Sequence, residues 1–333
     1  SQSSSAAAAG YAVGETETAS SLNVAAYWNS GTLTELPRLD SSRSSTATGV
    51  FKDGADIYIT GSSRNTSNVQ SAVYWKNGTV TTLTPVDVAR TSLAWDVQVS
   101  GGDVYIVGQS YNGSNVSVPV SWKNGVLTQL SVIDAGQNGN ALALLVDGAD
   151  LYVSGYTNSS NVSVPAYWQN GNRTDLPRLD NTKYGSANAM FRDGADLYVA
   201  GGSMNASNVI VPGYWRNGTW NGLTALDSGR SSHARGIAVV NGDVYVAGYS
   251  TNSAGVRRAV YWKNGTIFEM PPVNSAQDSD CNNLLVHNGS VYVIGSSDSA
   301  SGDSTPGYWK DGTFVGFSEL SSGAQSFLRD LAF

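Results

Sequence analysis

Four acids, Asp96, Asp278, Asp280 and Asp330, interrupt positions that other residue types fill in equivalent segments of this 333-residue chain. Glycosidic hydrolysis uses two carboxylates at a defined separation, so a pair drawn from these four is the arrangement that could do it. Asp96 and Asp330 share a register held elsewhere by Gly49, Ala143, Ala189 and Gly236. Ion pairing with Arg235 or Arg329 gives them an ordinary structural role as well. A second set, Arg43, Arg90, Gln137, Lys183, Arg230 and Gln277, recurs in loops and could donate hydrogen bonds to sugar hydroxyls or carboxylates. Tyr111, Tyr156, Tyr184 and Tyr249 could add stacking surfaces.

Other chemistries find little support. Cys281 is the only cysteine, which rules out an intrachain disulfide and a zinc site built on several cysteines. It takes a slot filled by Ala47, Ala94, Ala141, Ala187 and Ala234, so it reads as a small buried side chain rather than a nucleophile. His233 and His287 are the two histidines, and His287 adjoins the Asn288-Gly289 turn as a solvated residue. No loop shows metal-ligand spacing, and no cofactor is expected. Eleven Asn-x-Ser/Thr sequons occur, but Asn-Gly turns before Thr-rich strands generate them without any glycosylation. Asp40, Asp87, Asp134, Asp180 and Asp227 recur in one loop type and are expected to cap N–H groups of their own loops.

The elements that position these residues follow from a repeat. Trp28, Trp75, Trp122, Trp168, Trp215, Trp262 and Trp309 stand 47 residues apart, with one step of 46, and all but Trp122 follow a tyrosine. Such a period marks an array of one supersecondary unit. Before each tryptophan a Tyr-x-x-Gly segment ends at Gly14, Gly61, Gly108, Gly155, Gly201, Gly248 or Gly295, with small or β-branched residues between, as strands favour. Asp-Gly, Asn-Gly and Gly-Gly pairs upstream, and Asn-Gly pairs just after the tryptophan, signal two-residue hairpins. Each unit thus reads as four antiparallel strands, a to d, which in the second unit are 47–52, 56–62, 71–76 and 79–83. Tyr and Trp, being adjacent on strand c, point to opposite faces, so each fills an inter-blade gap. Losing one such tryptophan costs roughly 3–5 kcal/mol.

The reading is all-β: a seven-bladed β-propeller of four-stranded antiparallel blades. The chain enters at a strand b, Tyr11–Gly14, and a last strand spans Phe327–Phe333. A composite blade is therefore expected, with strand a from the C-terminus and strands b to d from the N-terminus, closing the ring and removing open edges. Residues 1–10 are low-complexity Ser/Ala, expected as a flexible tether ahead of one propeller domain at 11–333. Two readings of the tether stay open: a disordered end, or the start of a lipid-anchored chain whose modified residue precedes the numbering.

Charged residues make up only 14% of the chain and net charge is −7, which argues against a phosphate-binding surface and so against nucleic acid. No apolar run approaches a membrane span. The segments Asp-Val-Tyr-Val-Ala-Gly-Tyr at 243–249 and Ala-Val-Tyr-Trp-Lys-Asn-Gly at 259–265 resemble the extracellular propeller repeats of bacterial and archaeal surface proteins and lipoproteins. The resemblance covers the chain after residue 10. It implies a secreted or cell-surface location and supplies no catalytic residues. The chain is more distantly similar to kelch repeats, although the Gly-Gly doublet of that repeat stands only at Gly201-Gly202 and Tyr and Trp are adjacent rather than spaced.

Positions kept in every unit serve the blade, whereas positions that vary are free to serve a site. The residue before the small strand a position varies (Thr46, Leu93, Asn140, Ser186, His233, Asp280, Phe327), as does the one after it (Thr48, Trp95, Leu142, Asn188, Arg235, Asn282, Arg329). Both sets are expected at the mouth of the central channel, on the face carrying the b–c and d–a loops. The candidate ligand face is Arg43, Arg90, Trp95, Lys183, Arg230, His233, Arg235, Asp280 and Arg329. The expected function is a non-catalytic extracellular scaffold or adhesion propeller that binds a surface glycan or another extracellular protein and can self-assemble. A lectin with one site per blade, and a propeller glycoside hydrolase or lyase, are the alternatives.

Overall fold

The computed structural model describes residues 10–321, 323 and 325–333, so the expected tether falls, apart from Gly10, outside the described residues. Twenty-eight strands pair into seven four-stranded antiparallel sheets, a seven-bladed β-propeller with no helix among the described residues. In blade 2, strands a to d run Ser45–Asp53, Asp56–Arg64, Gln70–Lys76 and Thr79–Thr82. Strand a begins two residues earlier than the pattern suggests and strand b ends two residues later, because polar Ser and Arg positions still pair at the loop end. The innermost strands a touch one another in cyclic order, the last returning to the first.

Closure is achieved by the composite blade. Ser326–Ala332 pairs antiparallel with Tyr11–Glu17, from Tyr11 opposite Ala332 to Thr16 opposite Ser326. That blade's other strands are Asn23–Asn29 and Thr32–Glu35.

Turn chemistry follows the sequence closely. The c–d turns have both centres at positive φ, as in Asn77 (49°) and Gly78 (81°), which Asn and Gly tolerate. Each such Asn also ties its turn to the start of strand b: Asn77 Oδ1 accepts the Ile57 N–H and its Nδ2 donates to Asp56 Oδ1. The same two bonds recur at Asn217 and Asn264, so these sequon amides already have structural partners. At Asp53-Gly54-Ala55-Asp56 the a–b turn differs from expectation. Only Gly54 has positive φ, the pattern of a II′ turn centred on Gly-Ala.

The repeated tryptophans are at most 1% exposed. Each indole N–H also donates to a carbonyl of the d–a segment leading out of the preceding blade, as Trp75 does to Pro37 O at 2.7 Å. A buried indole needs an acceptor, and this one ties neighbouring blades together. Trp28 makes the bond across the closure, to Ser318 O at 2.8 Å. The loop aspartates act as expected: Asp40 Oδ1 accepts the Ser42 N–H, and Asp87, Asp134, Asp180 and Asp227 repeat the bond.

Candidate functional site

The glycine ending Tyr-x-x-Gly fixes where the variable residues go. At Gly61 an added Cβ would lie 2.0 Å from the Thr46 carbonyl oxygen, and at Gly108 2.0 Å from that of Leu93. Strand a leans onto strand b at this point because glycine leaves room. Pairing there slips by one residue in every blade: between Ala47 and Gly49, Ala94 and Asp96, Ala141 and Ala143, Ala187 and Ala189, Ala234 and Gly236, Cys281 and Asn283, and, in the composite blade, across Arg329. A β-bulge re-aims the extra residue. The extra residues are Thr48, Trp95, Leu142, Asn188, Arg235, Asn282 and Arg329.

All seven line one central cavity of about 510 Å³, together with Asp96, Asp330, Tyr184, His233 and small neighbours. The wall is lopsided. Trp95 and Leu142 form an apolar arc on blades 3 and 4, while Asn188, Arg235, Asn282 and Arg329 make a polar, cationic arc running from blade 5 to blade 1. Several bulge residues also clasp the next blade: Thr48, Asn188 and Asn282 donate to Ala94 O, Ala234 O and Leu328 O at 2.7–2.8 Å. Arg235 makes a longer bond of the same kind to Cys281 O, at 3.2 Å.

The two unusual wall carboxylates are not ion-paired, contrary to the sequence reading. Asp96 accepts the Val97 and Leu144 N–H groups, and Asp330 accepts those of Val50 and Leu331 and an amide hydrogen of Asn283. Each carboxylate thereby ties strand a of its own blade to that of the following one. Both side chains touch cavity space yet are ringed by protein deeply enough for desolvation to dominate. Burial pushes Asp96 up to about 7, opposed by the Leu144 hydrogen bond and reinforced by Asp330, and pushes Asp330 to about 6.

Arg235 has the densest surroundings. Its Nη1 donates to Asp280 Oδ1 (3.0 Å), Asn282 Oδ1 (2.9 Å) and Cys281 O, and its guanidinium lies 4.8 Å from the Tyr249 ring centre. Asp280 also receives Arg257, so it sits behind the wall rather than on it. Arg329 pairs with Glu15 at 2.5 Å, across the composite blade. His233 stacks on Tyr249 with ring centres 5.1 Å apart. Burial first, then the charge of Arg235, pull its imidazole down to about 4, which leaves it neutral at neutral pH. Cys281 is buried in its alanine slot and burial pushes its thiol up, as expected of an inert side chain.

Of the nine candidate residues, the structure brings Trp95, His233, Arg235 and Arg329 together on the cavity wall. Asp280 supports Arg235 from behind. Arg43, Arg90, Lys183 and Arg230 lie elsewhere, clasping the tip of the neighbouring b–c loop through Thr66 O, Gly113 O, Asn208 Oδ1 and Ser253 O. Of the residues preceding the small position, only His233 reaches the cavity. Asp96 and Asp330, outside the nine, complete its polar lining. Among the described residues no group of three or more His, Cys, Asp or Glu could hold a metal ion.

No protein-family model and no curated protein match the chain. Solved structures do. YjhT is similar over 81% of this chain and 96% of its own, at 12% identity and a TM-score of 0.46. An Exo-1,5-alpha-L-arabinanase from a bovine ruminal metagenomic library is similar over 68% and 98%, at 13% identity and a TM-score of 0.40. At these identities the likeness speaks to fold alone. The expectation of a chain without enzymatic activity is corrected here, since a propeller fold gives no ground for excluding catalysis and two carboxyls, Asp96 and Asp330, share the cavity wall.

Proposed function

We propose that the protein is a cell-surface or secreted recognition propeller that takes a single saccharide, or the end of a glycan, in its central mouth. The observation that carries this reading is the ring of bulges. Seven equivalent positions carry five residue types and converge on one cavity, which suits one asymmetric ligand better than seven equal ones. Trp95, Tyr184 and His233 offer ring faces for the C–H surface of a sugar, and Asn188, Asn282 and Thr48 offer hydroxyl partners. Placement outside the cell rests on the repeat resemblance and the low charge content; no helix of the described residues is long and apolar enough to cross a membrane.

A glycan array followed by calorimetric titration tests the reading. One saccharide per chain is expected, with affinity reduced about tenfold or more in Trp95→Ala through loss of a stacking face. A stoichiometry near seven, or no saccharide binding at all, would overturn it.

A second reading, hydrolysis of the bound saccharide, is favoured by one observation. Asp96 and Asp330 share the wall, with carboxyls displaced to about 7 and about 6, where a carboxyl can act as a proton donor near neutral pH. Release of reducing ends by the wild type but not by Asp96→Asn is the expected sign of it.

A further inference from the structure

Arg235 is held in a way that leaves one defined edge of its guanidinium unused. The Nη1 corner carries every protein hydrogen bond of the group, to Asp280, Cys281 O and Asn282, while Tyr249 supports the flat face. Nε–H and the Nη2 hydrogens have no acceptor among the described residues. That pair is the side-on fork, whose two parallel N–H groups match the two oxygens of a carboxylate. The side chain is part of the cavity wall and only 31% exposed, so its conformation is largely fixed before a ligand arrives. Arg329 stands two blades on, with Asn282 between, and has only its Nη2 committed, to Glu15.

Selection of an anion falls to the geometry of the fork rather than to net charge, because Glu15 offsets Arg329 and the carboxyls of Asp96 and Asp330 share the wall. Asp280 is shared by Arg235 and Arg257, and Arg257 also holds Asp278, so two cations balance two carboxylates behind the wall. Asp96 and Asp330 bind backbone N–H groups inside the ring rather than either arginine.

We propose that the saccharide taken by this mouth is acidic, a hexuronate whose carboxylate docks side-on to the free Nε/Nη2 edge of Arg235 while Arg329 and Asn282 receive neighbouring oxygens. The inference rests on the reading of the mouth as a saccharide site and narrows it to one chemical class.

Titration calorimetry of the full chain with glucuronate against glucose, and galacturonate against galactose, isolates the C6 carboxylate within each pair. The uronate is expected to bind about tenfold tighter than its neutral partner, and the methyl ester of glucuronate to bind like glucose. In Arg235→Gln the ratio of uronate to neutral-sugar affinity collapses toward one. Arg235→Lys, which keeps the charge and loses the fork, also forfeits most of it. Saturable binding in which each neutral sugar matches its uronate overturns the acidic inference and leaves the saccharide site standing. Absence of binding by all four sugars removes both. Because the methyl ester tests the carboxylate without altering the protein, the inference stays decidable if Arg235→Gln fails to fold.

Discussion

Asp96, Asp330 and His233 make the cavity wall sensitive to pH in opposing directions. The folded pKa of Asp96, about 7, lies above the ordinary 3.8, so the stability it contributes is complete at low pH and is lost as pH rises through about 7. Asp330 does the same near 6. His233, depressed from 6.5 to about 4, acts the other way, and its contribution falls as pH drops from about 6.5 toward 4. Between pH 6.5 and 8, then, Asp96 dominates. The wild-type melting temperature is expected to fall across that window and the slope to flatten in Asp96→Asn. A variant whose slope matches the wild type would show that Asp96 does not titrate there. At one pH the variant also loses about 1–3 kcal/mol, since an amide cannot accept both the Val97 and Leu144 N–H groups. That these two aspartates are unusual was legible in the sequence, because four of the other five blades keep Gly or Ala in their register and the fifth has Asn283. Their partners were not, since backbone N–H groups of the next blade leave no trace in residue type.

Strands a and b show how a conserved spacing can encode a geometry that it does not display. The repeated glycine is identifiable from sequence as the end of a strand. Its physical reason is the carbonyl that presses on it, 2.0 Å from the Cβ position at Gly108 and 1.8 Å at Gly248. Backbone cannot give way as a side chain tip would. Gly108→Ala is therefore expected to cost about 3 kcal/mol or more and to lower the denaturation midpoint, as overpacking does. A near-neutral effect in chemical unfolding would mean that strand a can move off strand b. The bulge opposite this glycine carries the site, and its only sequence signal is a freely varying residue just after a small one. Loop donors such as Arg43 and Lys183 vary little and were legible as a set, yet their spacing serves a loop clasp 23 or 25 residues across.

At the scale of the whole molecule, closure holds the ring in one piece. Ser326–Ala332 supplies the innermost strand of blade 1, buries Leu328 and Leu331, and forms one wall of the mouth through Arg329 and Asp330. Removing residues 327–333 leaves Tyr11–Glu17 with an unpaired edge facing the channel. The truncated chain is expected to melt far lower or to aggregate, as differential scanning calorimetry and size-exclusion chromatography would report. Unchanged melting would show that the remaining contacts close the ring without it.

The sequence by itself determined the number of blades, the strand order, the turn positions and the composite closure. Each of these is written in local signals, such as positive-φ dipeptides and alternating side chains, that recur with a fixed period. Only the tertiary structure decided which varying residues meet. Thr48 and Arg329 are 281 residues apart in the chain and share a wall because seven bulges point to one axis. It also decided that the arginines of the mouth find Asp280 and Glu15 rather than the wall aspartates. Hydrogen-bond geometry between blades set those partners, and no single blade's sequence contains it.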